Sequence, residues 1–207
     1  MAHPRPSTAS SQQRSDHGAV VIVASAGGIN ALSALLSALP RSFSLPIFIA
    51  QHLSPTARSI LPTVLNRRSS LTVAWATHGT YPHQGCVYLA PPATCLRIAG
   101  EGFSISRLAE RSSSWLQSAD DLIISVVQHY GARTIAVVLS GSMAAGVAGF
   151  RAVKVAGGIT MAQNEISSSH FMMPRAAIDL AKADFVTSPA RMATALEVAA
   201  DQWAGLP

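Results

Sequence analysis

The sequence predicts an α/β fold with a doubly wound, mostly parallel sheet, helices on both faces and a small β-hairpin insertion. Two observations support this prediction. Apolar, β-branched runs alternate along the chain with segments of helical periodicity, as in successive βα units. The strand segments are near-continuous apolar runs, which is typical of strands that are buried on both faces of a parallel sheet.

Seven segments are predicted to form the strands of the main sheet, because β-branched and other apolar residues concentrate in them. They are Ala19–Ala24, Pro46–Gln51, Leu71–Ala74, Val87–Ala90, Thr134–Leu139, Gly158–Ala162 and Asp184–Val186. Two more runs, Cys95–Ile98 and Phe103–Ser106, flank a glycine-containing turn. This arrangement predicts the hairpin.

Six segments between these strands have the periodicity of helices. They are Asn30–Leu39, Thr56–Asn66, Ala119–Tyr130, Val147–Val155, Arg175–Lys182 and Pro189–Trp203. Ser118 is predicted to cap the third helix, since Asp121 follows it three residues later. The polar segment from Arg107 to Trp115 is predicted to be a loop.

Length and composition favour one domain of ordinary size. The chain has 207 residues, of which 49% are hydrophobic, enough for a core without disulfides. Residues 1–17 are polar and rich in serine and glutamine, and are expected to be a disordered tail without a signal peptide ahead of one domain over residues 18–207. Cys86 and Cys95 lie in apolar segments and are expected to be free thiols, which favours a cytoplasmic location.

Several classes of function find no support in the sequence. No apolar run reaches the roughly 18 residues of a membrane span. The net charge of +5 is spread thinly over arginines, which argues against nucleic-acid binding and leaves an acidic protein partner as an alternative. No P-loop or dinucleotide fingerprint is present, so no cofactor is expected. Four histidines lack the spacing of metal ligands, so no metal is expected. They are His78, His83, His129 and His170.

The segment that ends at Ser25 is the first candidate for chemistry. A buried strand ends at this serine, and Gly27 and Gly28 open the next helix. Ligands gather at the carboxyl ends of strands in open α/β sheets, where backbone N–H groups of a helix start are free. Ser25 is therefore a candidate nucleophile.

His52 follows the next strand and is the candidate base. Consecutive parallel strands joined by a right-handed crossover are often neighbours in the sheet, which would bring the imidazole within reach of Ser25. A histidine that accepts the serine proton activates it for acyl transfer. The alternative is a histidine that only hydrogen-bonds a neighbouring loop.

A third strand, ending near Leu139, leads into a glycine-rich turn that should lie at the same sheet edge. The loop contains no carboxylate, so it supplies no acid for a triad, and its glycines are equally consistent with a purely geometric role. The nucleophile elbow of α/β-hydrolases does not fit, because Val23 stands where its first glycine belongs.

Short motifs occur in a fixed order along the chain: Ala24–Gly28, Gln51–His52, Val87–Pro92, Leu139–Gly141, Gly157–Gly158 and Met173–Ala177. Together, from near residue 18 to near residue 200, they resemble the catalytic domain of the bacterial chemotaxis protein-glutamate methylesterases. That family hydrolyses γ-glutamyl methyl esters on methyl-accepting chemoreceptors, and some members deamidate glutamine. The usual N-terminal receiver domain has no counterpart here, so a stand-alone form that relies on a separate regulator is expected.

The resemblance implies roles for individual residues. Ser25 would attack the ester carbonyl with the assistance of His52. Backbone N–H groups near Ala26 and Gly27 would hold the oxyanion. Ser142 and Met143, in the glycine-rich loop, complete the expected binding set.

The family's catalytic aspartate does not carry over, because Ala145 stands at its position and Ala144 precedes it. An impaired esterase is expected, in which the His52 ring is held by Ser140, Ser142, a backbone carbonyl, a water or a remote carboxylate such as Glu165. The alternative is a catalytically inactive binding or regulatory module of chemosensory signalling.

Overall fold

The predicted fold class is confirmed. The computed structural model describes residues 18–54, 59–100, 102–108 and 114–204. Over these residues, seven strands form one parallel sheet and two more form a separate antiparallel hairpin. The tail predicted over residues 1–17 lies outside the described residues.

The nine strands lie where the sequence predicts them, with ends that differ by no more than one residue. They are β1 (Ala19–Ala24), β2 (Ile47–Gln51), β3 (Thr72–Trp75), β4 (Cys86–Leu89), β5 (Thr94–Ala99), β6 (Gly102–Arg107), β7 (Thr134–Val138), β8 (Ile159–Gln163) and β9 (Phe185–Thr187). The main sheet has the order β3-β4-β2-β1-β7-β8-β9. Strand β1 is therefore central, with β2 and β7 as its parallel neighbours.

Six α-helices accompany the strands in the part of the chain that the structure describes. They are α1 (Gly28–Ala38), α2 (Leu61–Asn66), α3 (Trp115–Tyr130), α4 (Val147–Val155), α5 (Met172–Ala181) and α6 (Pro189–Ala204). Helix α2 begins later than predicted, since Ser59 and Ile60 are not helical; residues 55–58 of the predicted helix are outside the described ranges. Helix α5 begins three residues early, because Pro174 fits within a first helical turn.

The start of α3 corrects two predictions. Ser114, not Ser118, is the N-cap, and its Oγ accepts a hydrogen bond from the Gln117 N–H at 3.3 Å. Ser118 is buried within the helix and its hydroxyl donates to the Thr94 carbonyl. The predicted loop is likewise wrong at both ends, since Arg107 closes β6 and Trp115 opens α3; residues 109–113 fall outside the description.

The central strand explains why the sheet is covered on both faces. All six residues of β1 are buried. Val20 and Ile22 belong to a core shared with α1 and α6, whereas Val21 and Val23 belong to a second core shared with α3, α4 and α5. An unbroken apolar strand thus serves two layers, and all seven carboxyl ends meet at one edge.

The structure also describes the state of the cysteines and the character of the helices. Cys86 and Cys95 are free thiols, as predicted. Within the described ranges, none of the helices combines the length and the apolar character that crossing a bilayer requires.

Candidate active site

Ser25 and His52 follow adjacent parallel strands and meet at the carboxyl edge of the sheet. Ala24 pairs with Gln51 in the β1–β2 register, so the next residue of each strand lies beside the other. The His52 N–H donates to the Ala24 carbonyl at 2.9 Å and extends the ladder by one step. Ser25 Oγ lies 3.4 Å from His52 Nδ1, a loose contact of the kind that tightens when a substrate binds.

An open cavity of about 660 Å³ surrounds this pair. It is lined by Ser25, Ala26, Gly27, Ile29, Asn30, Gln51, His52, Leu53, Ser142 and Met143. None of these lining residues is an aspartate, glutamate, lysine or arginine. The structure thus brings six of the predicted site residues into one cavity. It does not bring Ala145 there: that side chain is fully buried in the second core.

The two glycines after Ser25 are required by close approaches. Gly27 has a φ of +76°, and a Cβ there would lie 2.6 Å from Ser140 Oγ. A Cβ on Gly28 would lie 2.4 Å from Gln51 Oε1. The turn leaves the backbone N–H groups of Ala26 and Gly27 without an acceptor among the described residues, so both are free to bind an anion.

Gln51, the last residue of β2, ties the serine to the histidine. Its buried Nε2 donates to the carbonyl oxygen of Ser25 at 2.9 Å and to that of His52 at 3.0 Å. Its Oε1 is buried and has no hydrogen-bond partner in the part of the chain that the structure describes. The sequence marks Gln51 as a strand end and as part of a short motif with His52, but it carries no signal for the hydrogen bonds that join Ser25 to His52.

Ser140 connects three loops at the same edge. Its carbonyl accepts from the Ser25 N–H at 2.9 Å. Its hydroxyl donates to the Ala26 carbonyl at 2.8 Å and accepts from the His170 N–H at 2.9 Å. Gln163, the last residue of β8, accepts from the Ser140 N–H at 2.8 Å. The Ser140 hydroxyl is therefore already engaged and does not orient the His52 ring.

The His52 ring stacks on Trp115, the first residue of α3. The two ring centroids are 4.7 Å apart and the planes differ by 29°. Within the described residues, the polar contact of the ring is with Ser25 Oγ; Ser142 and the exposed Glu165 do not hydrogen-bond it. Ser114 followed by Gln117 has the spacing of a capping box, which marks the helix start at Trp115 but does not indicate the contact with His52.

Asp120 of α3 fixes the end of the glycine-rich loop. Gly146, which precedes α4, offers no side-chain cap; instead, Asp120 Oδ1 accepts from the Gly149 N–H at 2.7 Å. Burial raises the pKa of the Asp120 carboxyl, while the hydrogen bonds from the Gly149 and Ala148 backbones oppose the rise. The carboxylate thus anchors the helix that begins just after the cavity-lining loop.

Comparisons with known proteins agree on one family. The CheB methylesterase family matches residues 20–196. The chain is 36% identical over 181 residues to the protein-glutamate methylesterase/protein-glutamine glutaminase 3 of Paramagnetospirillum magneticum, which is 87% of this chain and 51% of that protein. It is 38% identical over 167 residues to the corresponding protein 2 of Anaeromyxobacter dehalogenans, covering 81% of this chain and 49% of the relative.

A solved structure has the same fold. The chain matches the crystal structure of the Thermotoga maritima CheB methylesterase catalytic domain with a TM-score of 0.78 and 28% identity. The match covers 87% of this chain and 97% of the solved one. The chain therefore corresponds to a catalytic domain and spans about half the length of the two curated relatives above.

Proposed function

This chain belongs to the CheB methylesterase family, and we propose that it is a serine hydrolase that cleaves γ-glutamyl methyl esters of proteins. The observation that carries the proposal is the approach of Ser25 Oγ to His52 Nδ1, at 3.4 Å inside an open cavity. A hydroxyl beside an imidazole at a sheet edge, with free backbone N–H groups nearby, suits acyl transfer.

The reaction has two halves. Ser25 Oγ attacks the ester carbonyl carbon while His52 takes its proton. The tetrahedral intermediate collapses, the C–O bond to methanol breaks, and the imidazolium returns the proton to the leaving methoxide. Water, deprotonated by His52, then attacks the acyl-serine and releases the glutamate side chain and free Ser25.

The developing oxyanion needs donors that are already in place. The backbone N–H groups of Ala26 and Gly27 lie in the cavity lining and have no acceptor among the described residues. Ser142 and Met143 lie in the same lining. Preorganised donors of this kind contribute roughly 3 kcal/mol each to acyl transfer in other hydrolases.

The cavity favours a neutral substrate over a charged product. None of its lining residues is an aspartate, glutamate, lysine or arginine, so the cavity offers no permanent counter-ion to a charged ligand. The product carboxylate meets no lysine or arginine among the lining residues and leaves through the open cavity. The same reasoning admits the primary amide of glutamine. The substrate is a methyl-accepting chemoreceptor or a similar methylated protein.

The residue at position 145 favours a second candidate function. In serine proteases, loss of the triad acid costs about ten-thousand-fold in turnover, or roughly 5 kcal/mol. Ala145, at the position of the family's aspartate, therefore predicts a slow enzyme. It equally favours an inactive module that binds chemosensory partners without hydrolysing them.

Methanol release from a methyl-esterified receptor peptide distinguishes the two. The wild-type chain is expected to release methanol, Ser25→Ala is expected to release none, and Ser37→Ala, which removes an exposed hydroxyl of α1, is expected to match the wild type. If the folded wild type releases no more than Ser25→Ala yet binds the peptide, the binding module is the better description.

A further inference from the structure

We propose that Trp115 is a positioning residue for His52 and performs part of the task of the acid that Ala145 does not supply. The inference rests on the proposed hydrolase function. Trp115 does not contact the reacting atoms in this arrangement. It acts through the imidazole ring, whose plane lies against the indole at 4.7 Å between centroids.

The main chain of His52 is fixed by contacts other than the stack. Its N–H donates to the Ala24 carbonyl and its carbonyl accepts from Gln51 Nε2. The side-chain torsions are then the remaining freedom of the ring. A loose 3.4 Å contact with Ser25 Oγ constrains these torsions weakly, so a second contact is needed to keep the ring in place.

Trp115 is itself held firmly enough to provide that contact. The Ser114 hydroxyl caps α3 and so fixes the backbone at the helix start. The indole packs against the second hydrophobic core. A flat, anchored surface beside the imidazole limits rotation of the ring, because the stacked arrangement is lost when the ring turns.

The indole also favours the charge that catalysis creates. Proton transfer from Ser25 turns the imidazole into an imidazolium, and a tryptophan face attracts a cation placed over it. A triad carboxylate does the same and also selects which ring nitrogen carries the proton. Trp115 has no acceptor for that nitrogen, so it replaces the acid only in part.

The kinetic test compares Trp115→Leu, which removes the aromatic face, with Trp115→Phe, which keeps one. With p-nitrophenyl acetate as the probe, kcat of Trp115→Leu is expected to fall about tenfold, equivalent to about 1.4 kcal/mol, with KM unchanged. Trp115→Phe is expected to keep at least about a third of the activity. Trp203→Leu is the matched control, because its indole lies beside Gly18 at the opposite edge of the sheet.

A structural readout separates positioning from folding. In NMR spectra of His-labelled protein, stacking predicts upfield ring-current shifts of the His52 ring protons in the wild type and in Trp115→Phe, and their loss in Trp115→Leu. This measurement does not depend on activity. The wild-type spectrum by itself tests the stack, so the test stands even if the leucine variant does not fold.

Two results would overturn the proposal. One is a wild-type spectrum without the ring-current shift. The second is a folded Trp115→Leu that hydrolyses the probe at the wild-type kcat. The same holds if Trp115→Leu, introduced into His52→Ala, lowers kcat by the same factor as it does in the wild type, because its effect would then not depend on the imidazole. A wild type that shows the shift but never reacts at Ser25 contradicts the hydrolase function instead.

Discussion

At the scale of single residues, the Ser25 hydroxyl and the His52 ring are set by different kinds of contact. Gln51 donates to the carbonyls of both residues, which fixes their main chains relative to each other. Only the 3.4 Å contact and the Trp115 stack act on the imidazole ring itself in the described structure. The arrangement therefore specifies position well and leaves the histidine without an acidic partner among the described residues.

Placing a carboxylate at position 145 tests that deficit. Ala145→Asp is expected to raise methanol release from the methylated peptide at least about tenfold, because a carboxylate stabilises the imidazolium. Thermal stability is expected to fall, since Ala145 is fully buried and a buried charge is costly. Ala145→Asn is the control of equal size without charge. An aspartate variant no faster than the asparagine variant would show that this position does not reach His52.

From the residue pattern, catalytic side chains could be predicted only where they follow the end of a strand. Ser25 and His52 follow apolar runs, and their meeting needs just two neighbouring parallel strands. Trp115 was not predicted as a site residue, because it was assigned to a loop and comes to His52 through the packing of α3. The lone aromatic carries no periodic signal that points to this contact.

At the scale of elements, α4 depends on a cap from another helix. Gly146 contributes no side-chain acceptor, and Asp120 of α3 accepts from the Gly149 N–H in the first turn. This contact joins α3, which carries Trp115, to the helix that follows the cavity-lining loop. The α4 bounds themselves were predicted correctly, but a cap more than twenty residues away in sequence has no local signature.

The cap predicts different outcomes for two substitutions. Asp120→Ala is expected to lower the free energy of unfolding by about 1–2 kcal/mol, since a capping acceptor is lost. Asp120→Asn keeps an acceptor. Burial raises the pKa of the Asp120 carboxyl, so its ionised form costs some stability at neutral pH, and the asparagine removes that cost. The free energy of unfolding of Asp120→Asn is therefore expected to stay within about 0.5 kcal/mol of the wild type at neutral pH. Urea denaturation measures both. Equal losses in the two variants would mean that Asp120 does not act as a cap.

At the scale of the whole molecule, the apolar continuity of the strands predicted the two-sided parallel sheet, and every strand was found within one residue of its predicted ends. The strand order was not predicted beyond the pairing of the first two strands, since long-range neighbours depend on how the helices pack. The two cores on either side of β1 bring four segments to one edge: the turns after β1 and β2, the loop after β7 and the start of α3.

Mass spectrometry of the intact chain after exposure to a fluorophosphonate asks most directly whether this edge is a working hydrolase site. We expect one adduct per wild-type molecule, mapped to Ser25. Ser25→Ala should stay unmodified, and His52→Ala should react far more slowly because its hydroxyl lacks a base. A wild type that remains unmodified, or a Ser25→Ala variant that is modified as fast as the wild type, would contradict a nucleophilic Ser25 activated by His52.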